Sequence, residues 1–182
     1  NPMYAIEENS FTETWKKLSD TLPIPKAIVC ISAHWETVGT FVTATEKPRT
    51  IHDFYGFPSA LFDVQYPSLG NPDLAKEISV KTNAKLDYDW GLDHGTWSVL
   101  KHIYPKADIP TVQISLDRTK SAEWHFEFAK ELSFLREKEV LIIGSGNIVH
   151  NLRLVNFHNP KGDEWAISAN QTLKKLILDD NH

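Results

Sequence analysis

The sequence predicts an α/β fold: a single domain with a largely parallel or mixed central sheet and helices on both faces. Three observations carry this. Ala27-Ile28-Val29-Cys30-Ile31 and Val140-Leu141-Ile142-Ile143 are short apolar stretches, as expected of strands covered on both sides, and Pro110 introduces a further strand from Thr111 to Leu116. Helical stretches alternate with them along the chain. At 182 residues and 41% apolar, the chain can bury one good core.

The elements follow in order. Ser10 and Glu13 fit a capping box, and Phe11, Trp15 and Leu18 make an apolar stripe that runs to Leu22. Pro25 precedes the strand Ala27–Ser32. Residues 38–45 form a second β-rich run. Residues 46–72 read mostly as loop, with Pro48, Pro58, Pro67 and Pro72, and a loop of that length in a compact domain is usually functional. Asp73 opens a helix reaching Thr82. A further helix spans Thr96 to Tyr104, behind the turn Asp93-His94-Gly95. Pro110 introduces the strand from Thr111 to Leu116. Ser121 caps a long helix to Lys138, with Trp124, Phe128, Leu132 and Leu135 on one face. The strand Val140–Ile143 and a helix from Asp163 to Leu178 complete the set. No repeat, low-complexity tract or linker divides the chain, so residues 1–182 are read as one domain.

Composition excludes several function classes. The net charge of −5, with no basic cluster among aromatics, argues against nucleic-acid binding. No apolar run approaches the about 20 residues that span a bilayer, so no membrane partner is expected. The single cysteine, Cys30, lies in a predicted buried strand and reads as a core residue. One cysteine forms no intrachain disulfide, which suits a reducing, cytoplasmic setting. There is no P-loop, no Gly-x-Gly-x-x-Gly after a strand, no Gly-x-Ser-x-Gly and no Cys-x-x-Cys.

The histidines are more informative. His34 follows a strand in Ser32-Ala33-His34-Trp35, and ligands in open α/β sheets bind beyond the carboxyl ends of strands. His150 follows the last strand, past the turn Gly144-Ser145-Gly146-Asn147. His94 sits in a polar turn beside Asp93. His52 sits beside Asp53 in the aromatic loop Ile51-His52-Asp53-Phe54-Tyr55-Gly56-Phe57-Pro58. Each also has a structural reading: a histidine that caps a strand, or an Asp–His pair that orders its own loop. His102, His125, His158 and His182 read as structural or solvent-exposed. Aromatics near Tyr55 and Trp97 could wall a pocket for a flat substrate. A histidine-rich site with few carboxylates suits Zn(II), Cu(II) or non-haem Fe(II) better than Mg(II) or Ca(II).

Six ordered motifs then resemble one family. They are Ser32-Ala33-His34-Trp35, Ile51-His52-Asp53-Phe54, Gly56-Phe57-Pro58, Leu92-Asp93-His94-Gly95, Trp124-His125-Phe126-Glu127 and the run from Ser145 to Leu152. Together they resemble the class III extradiol ring-cleavage dioxygenases, of LigB type, and within them the 4,5-DOPA extradiol dioxygenase-like branch. The resemblance implies opening of a DOPA-like catechol by dioxygen at a histidine-bound non-haem metal, Fe(II) for activity, with Zn(II) possible in the same site. It implies His34 and His150 as metal ligands, His150 and His94 as catalytic groups, and His52, Asp93 and Tyr55 as substrate-binding residues. It also implies a monomer or small homo-oligomer. The family pattern opens with a strand ending Gly-His-Gly and continues past this C-terminus to a further ligand histidine. Asn1-Pro2-Met3 looks like the tail of the opening motif, so the first strand and a C-terminal segment are expected to lie outside this sequence. Two other functions remain open on the sequence: a zinc-dependent hydrolase, and a non-catalytic metal-binding domain of the same fold.

Overall fold

The computed structural model describes residues 1–151, 153–154, 156, 158–159 and 161–179, and the chain forms two compact units, Asn1–Ser145 and the residues from Gly146 on. His182 and Leu152 lie outside the described residues.

The first unit begins with a 3₁₀ turn, Pro2–Ala5, and helix α1, Ser10–Ser19. The capping box of α1 lies one residue earlier than the sequence suggests. Asn9 is the N-cap and accepts from the Phe11 and Thr12 amides, while the Thr12 hydroxyl accepts from the Asn9 amide at 2.9 Å. Asn caps as well as Ser does, and Thr12 closes the box that Glu13 was expected to close. The helix stops at Ser19, short of Leu22, and its Phe11 and Leu18 are exposed.

Strand β1 spans Ala27–Thr37, well past the expected end at Ser32. β2 is short, Phe41–Thr43. The long loop carries one turn of helix, α2, Ser59–Phe62, before α3, Pro72–Thr82. A strand not expected from the sequence, β3, Lys85–Asp87, precedes α4, His94–Ile103. β4 spans Thr111–Asp117 and α5 spans Ala122–Glu131. The single long helix expected to reach Lys138 is broken after α5, and Ser133–Lys138 winds as a 3₁₀ helix. That tighter winding puts residues three apart on one side, which keeps Leu132 and Leu135 both in the core. β5, Val140–Ser145, ends the unit.

The sheet order is β3-β2-β4-β1-β5. β1 runs parallel to both β4 and β5, and β2 runs parallel to β3, but β2 meets β4 antiparallel, so the sheet is mixed. Side chains alternate across it. Val29, Val112 and Ile114 pack with Ile78 of α3 and Phe128 of α5 on one face. Ile28 packs with Leu92, Trp97, Leu100 and Ile103 around α4 on the other. Helices therefore cover both faces, as the strand patterning implies.

One irregularity in β1 matters for function. From Ile31 to Glu36, β1 advances five residues while its partner β4 advances only from Ile114 to Leu116. On the other side, pairing with β5 ends at Ser32 and Ser145. Ala33, His34 and Trp35 thus form a bulge belonging to neither ladder, and a bulge re-aims the side chains it carries. Trp35 anchors it, buried and stacked on Trp90 with ring centroids 5.4 Å apart.

In the second unit, helix α6 spans Glu164–Leu178.

Candidate metal and substrate site

α4 begins at His94 because Asp93 caps it: the Asp93 carboxylate accepts from the Thr96 amide at 3.2 Å. The predicted start at Thr96 is two residues late, and His94 occupies the first helical position. Gly95 lets this turn lie flat on β1. A Cβ there would collide with Ser32 Oγ and lie 3.0 Å from His34 Cδ2. The result is close approach of two histidines far apart in sequence: the His34 and His94 ring centroids are 3.9 Å apart.

Asp53 completes the cluster. Its Oδ1 accepts from the His94 backbone N–H at 3.0 Å and pairs with His94 Nδ1 at 2.8 Å. Burial raises the Asp53 carboxyl, but the bonds and the charge from His94 outweigh that and hold it below its ordinary range. An ionised carboxylate only accepts, so His94 Nδ1 is the donor in this bond. The Asp53 and His94 side chains are 18% and 9% exposed, so the pair is partly shielded from water, whereas His34 is open to solvent.

Donor atoms of His34, Asp53 and His94 all lie within 4.8 Å of one another. Two ligands on one zinc-sized ion, each about 2.1 Å away, stand up to about 4.2 Å apart. A spread of up to 4.8 Å is slightly wider than this, so a divalent ion would draw the side chains inward on binding. Two imidazoles and a carboxylate are also the donor chemistry of non-haem Fe(II) sites. Asp53 behind His94 is the arrangement that orients histidines at metal centres.

The floor of the site is a buried polar network. Ser32 Oγ accepts from the His34 amide at 3.2 Å and donates to Asp93 Oδ1 at 2.8 Å. Gln113 Nε2 donates to Asp93 Oδ2 at 2.5 Å, and Gln113 Oε1 accepts from Thr96 Oγ1 at 2.7 Å and from the Asp93 amide at 3.2 Å. Burial pushes the Asp93 carboxyl up against the opposing bonds from Ser32 and Gln113.

The wall is aromatic. Phe54 meets the His94 ring edge-on at 5.5 Å and contacts Phe57 and Phe62. His52 packs against Phe54, Phe62 and Trp97, and its Nε2 lies 3.0 Å from the Val64 carbonyl. Trp97 Nε1 donates to the Ile51 carbonyl at 2.8 Å, tying the loop to α4.

The expected site residues thus fall in different places. His34 and His94 come together. His52 lies behind Phe54, in the wall. Asp93, expected to touch substrate, is completely buried and holds the site from beneath. Tyr55 is 91% exposed at the loop tip. His150 belongs to the second unit, where it is exposed in coil, not in a helical turn, and lines a cleft with Asn147, Asn151 and Trp165. The sequence reading missed Asp53 as a member of the cluster. It also missed Gln113, whose only signal was a polar residue inside an apolar strand. Of the remaining histidines, His102 Nε2 lies 2.7 Å from the Tyr4 carbonyl. His125 is half-buried and bonded to the Asp117 amide and the Ser121 carbonyl, a structural placement. His158 is exposed.

Two histidines and a carboxylate, brought together from the β1 bulge, the start of α4 and the long loop, form a candidate metal centre beside an aromatic wall. The chain belongs to the family described as the catalytic LigB subunit of aromatic ring-opening dioxygenase, whose model matches residues 4–180. It is 50% identical over 179 residues to a protein of Escherichia coli (strain K12) named 4,5-DOPA dioxygenase extradiol, covering 96% of this chain and 66% of that one. A protein of the same name from Mirabilis jalapa is 37% identical, with coverage of 95% and 66%. The crystal structure of an uncharacterized Escherichia coli K12 protein superposes with a TM-score of 0.77 at 44% identity, over 93% of this chain and 66% of that one. The chain spans about two thirds of the length of these relatives.

Proposed function

We propose that the protein is an extradiol dioxygenase that opens a catechol-type ring of the DOPA kind with dioxygen. The observation that carries this is the His34–His94 pair, rings 3.9 Å apart, with Asp53 bonded to the far side of His94. The names of the relatives support the same reading.

His34 would hold the metal, with His150 proposed as a further ligand or base, while Asp53, bonded to His94 Nδ1, orients that histidine beside it. A bound Fe(II) ion supplies an electron path between an aromatic diol and dioxygen, which Zn(II), having no redox chemistry, does not.

The residues of the chain do the rest. His94 Nε2 accepts a phenolic proton from the diol, and Asp53 stabilises the imidazolium that results. Phe54, Phe57 and Phe62 present apolar surface to the ring and keep water from the reacting face. Ser32, Asp93 and Gln113 keep the two histidines in register from below. A reducing compartment, consistent with the single buried Cys30, keeps iron in its ferrous form.

The test is oxygen uptake by the full gene product with DOPA, after anaerobic loading with Fe(II) or with Zn(II). Uptake with a ring-opened product in the Fe(II) form alone supports the reading. Equal activity with Zn(II), or hydrolysis of an ester in its place, overturns it in favour of a zinc hydrolase.

A further inference from the structure

Gln113 is fully buried on the central strand β4, next to β1. Burying an amide is unfavourable unless its hydrogen bonds are made, and a half-satisfied buried network is worse than an apolar one. Here its donor and acceptor are both engaged, and both reach the turn that carries His94: the amide bonds the Asp93 carboxylate, and the oxygen takes the Asp93 N–H and the Thr96 hydroxyl. From Asp93 the chain of bonds continues to Ser32 Oγ and so to the His34 backbone. β5 contributes as well, because Ser145 Oγ donates to the Gly95 carbonyl. Three neighbouring strands therefore grip the first turn of α4. His34, in contrast, rides on the bulge between Ile31 and Glu36. The backbone hydrogen bond from its amide to Ser32 ties that bulge back to the network.

We propose that Gln113 is a positioning residue for the histidine pair, acting through Asp93 and Ser32 to fix where His34 stands against His94. The proposal rests on the reading of that pair as a metal and substrate site. Gln113 acts by holding the cap of α4 and, through it, the Ser32 hydroxyl. A residue that served only the stability of β4 could be replaced by an apolar side chain of similar length with no effect on the rings.

The experiment compares Gln113→Met, Ser32→Ala and Val112→Ala in the full gene product. Val112 is on the same strand but faces the α3 and α5 side, so it controls for loss of packing. Two measurements are made: ring-nitrogen NMR signals of His34 and His94 in metal-free protein, and Co(II) affinity. Gln113→Met and Ser32→Ala are expected to shift both rings' signals and to weaken Co(II) binding about 10–100-fold, the range for supporting residues at metal sites. The double variant is expected to be no worse than the poorer single one, because both break one chain of bonds. Val112→Ala is expected to lower the melting temperature and leave the ring signals in place. Unmoved ring signals in Gln113→Met, or equal movement in Val112→Ala, overturn the proposal. Should Gln113→Met fail to fold, Ser32→Ala decides, since it removes one hydroxyl and must still move the His34 and His94 signals. If wild-type protein takes up no Co(II) while the variants still shift the rings, the metal reading fails and the positioning role stands.

Discussion

Gly95 and His34 are in contact because residue 95 has no side chain: a Cβ there would sit 3.0 Å from His34 Cδ2 and collide with Ser32 Oγ. In most helices Gly→Ala adds up to about 1 kcal/mol of stability. Here the Ser32 hydroxyl has no free direction to move in, since it already binds Asp93. We expect Gly95→Ala to destabilise by about 1–3 kcal/mol, the usual range for overpacking. Urea unfolding measures the loss, and an unchanged or raised midpoint would refute the close packing.

Asp53 offers a test of acid stability. Its folded carboxyl lies below the ordinary range, so the unfolded chain binds its proton first as pH falls. The associated stability is present above the unfolded pKa, about 3.9, and disappears as pH falls through the lower folded value. Asp53→Asn should therefore be less stable than wild type at neutral pH, with the two curves converging below about pH 4. Denaturant midpoints across pH 2–7 read this directly. Parallel curves at all pH values would show that the carboxylate charge contributes nothing.

Asp53→Ala probes the chemistry. Without the carboxylate, His94 loses the partner that fixes its tautomer and ring angle. Turnover of the Fe(II)-loaded gene product should fall by about 10–100-fold while the protein remains folded. His34→Ala should instead lose metal, because it removes a ligand and not an orienting group. Full metal content in His34→Ala would remove that histidine from the ligand set.

Cys30 is completely buried, and loss of hydration pushes its thiol up to about 12, against a weak opposing bond from Thr96. Thiolate is the reactive form. At pH 8 the folded protein should resist a thiol-specific reagent such as Ellman's, and react with one equivalent only in denaturant. Rapid labelling of native protein would contradict the buried placement of β1.

Ala107 adopts φ 51°, a left-handed conformation that disfavours residues with a Cβ. Ala107→Gly should stabilise by about 1 kcal/mol, visible as a higher unfolding midpoint. A lower midpoint would mean that the contacts of the methyl group outweigh the backbone strain.

The strands at the centre of the sheet were legible because β1 and β5 begin as apolar runs between turn residues, which identify buried strands, and because Pro110 marks the start of β4, whose residues alternate polar and apolar. The far half of β1 was not, because Ala33-His34-Trp35-Glu36 has no strand-like pattern and is held by Glu36–Leu116 pairing across a bulge. Lys85–Asp87 carries two charges in three residues and becomes a strand only because β2 lies beside it. In the site, His34 and His94 were legible from their turns. Asp53 was named only as the neighbour of His52, since spacing along a loop does not reveal which of two adjacent polar residues faces inward. The fold placed His52 behind Phe54 and the carboxylate against His94.

The gripping of the α4 turn by three strands has a consequence for how the site comes into being. Ser32 lies 61 residues from Asp93, Asp53 lies 41 from His94, and Asp93 lies 20 from Gln113. Contacts this distant in sequence close large loops before any of them is rewarded, so they form late in folding. A growing chain that has not yet reached Gln113 contains both histidines, Ser32 and Asp53 but lacks β4, which pairs with β1 and holds the Asp93 cap. Until the sheet closes, the two histidines are therefore not held side by side.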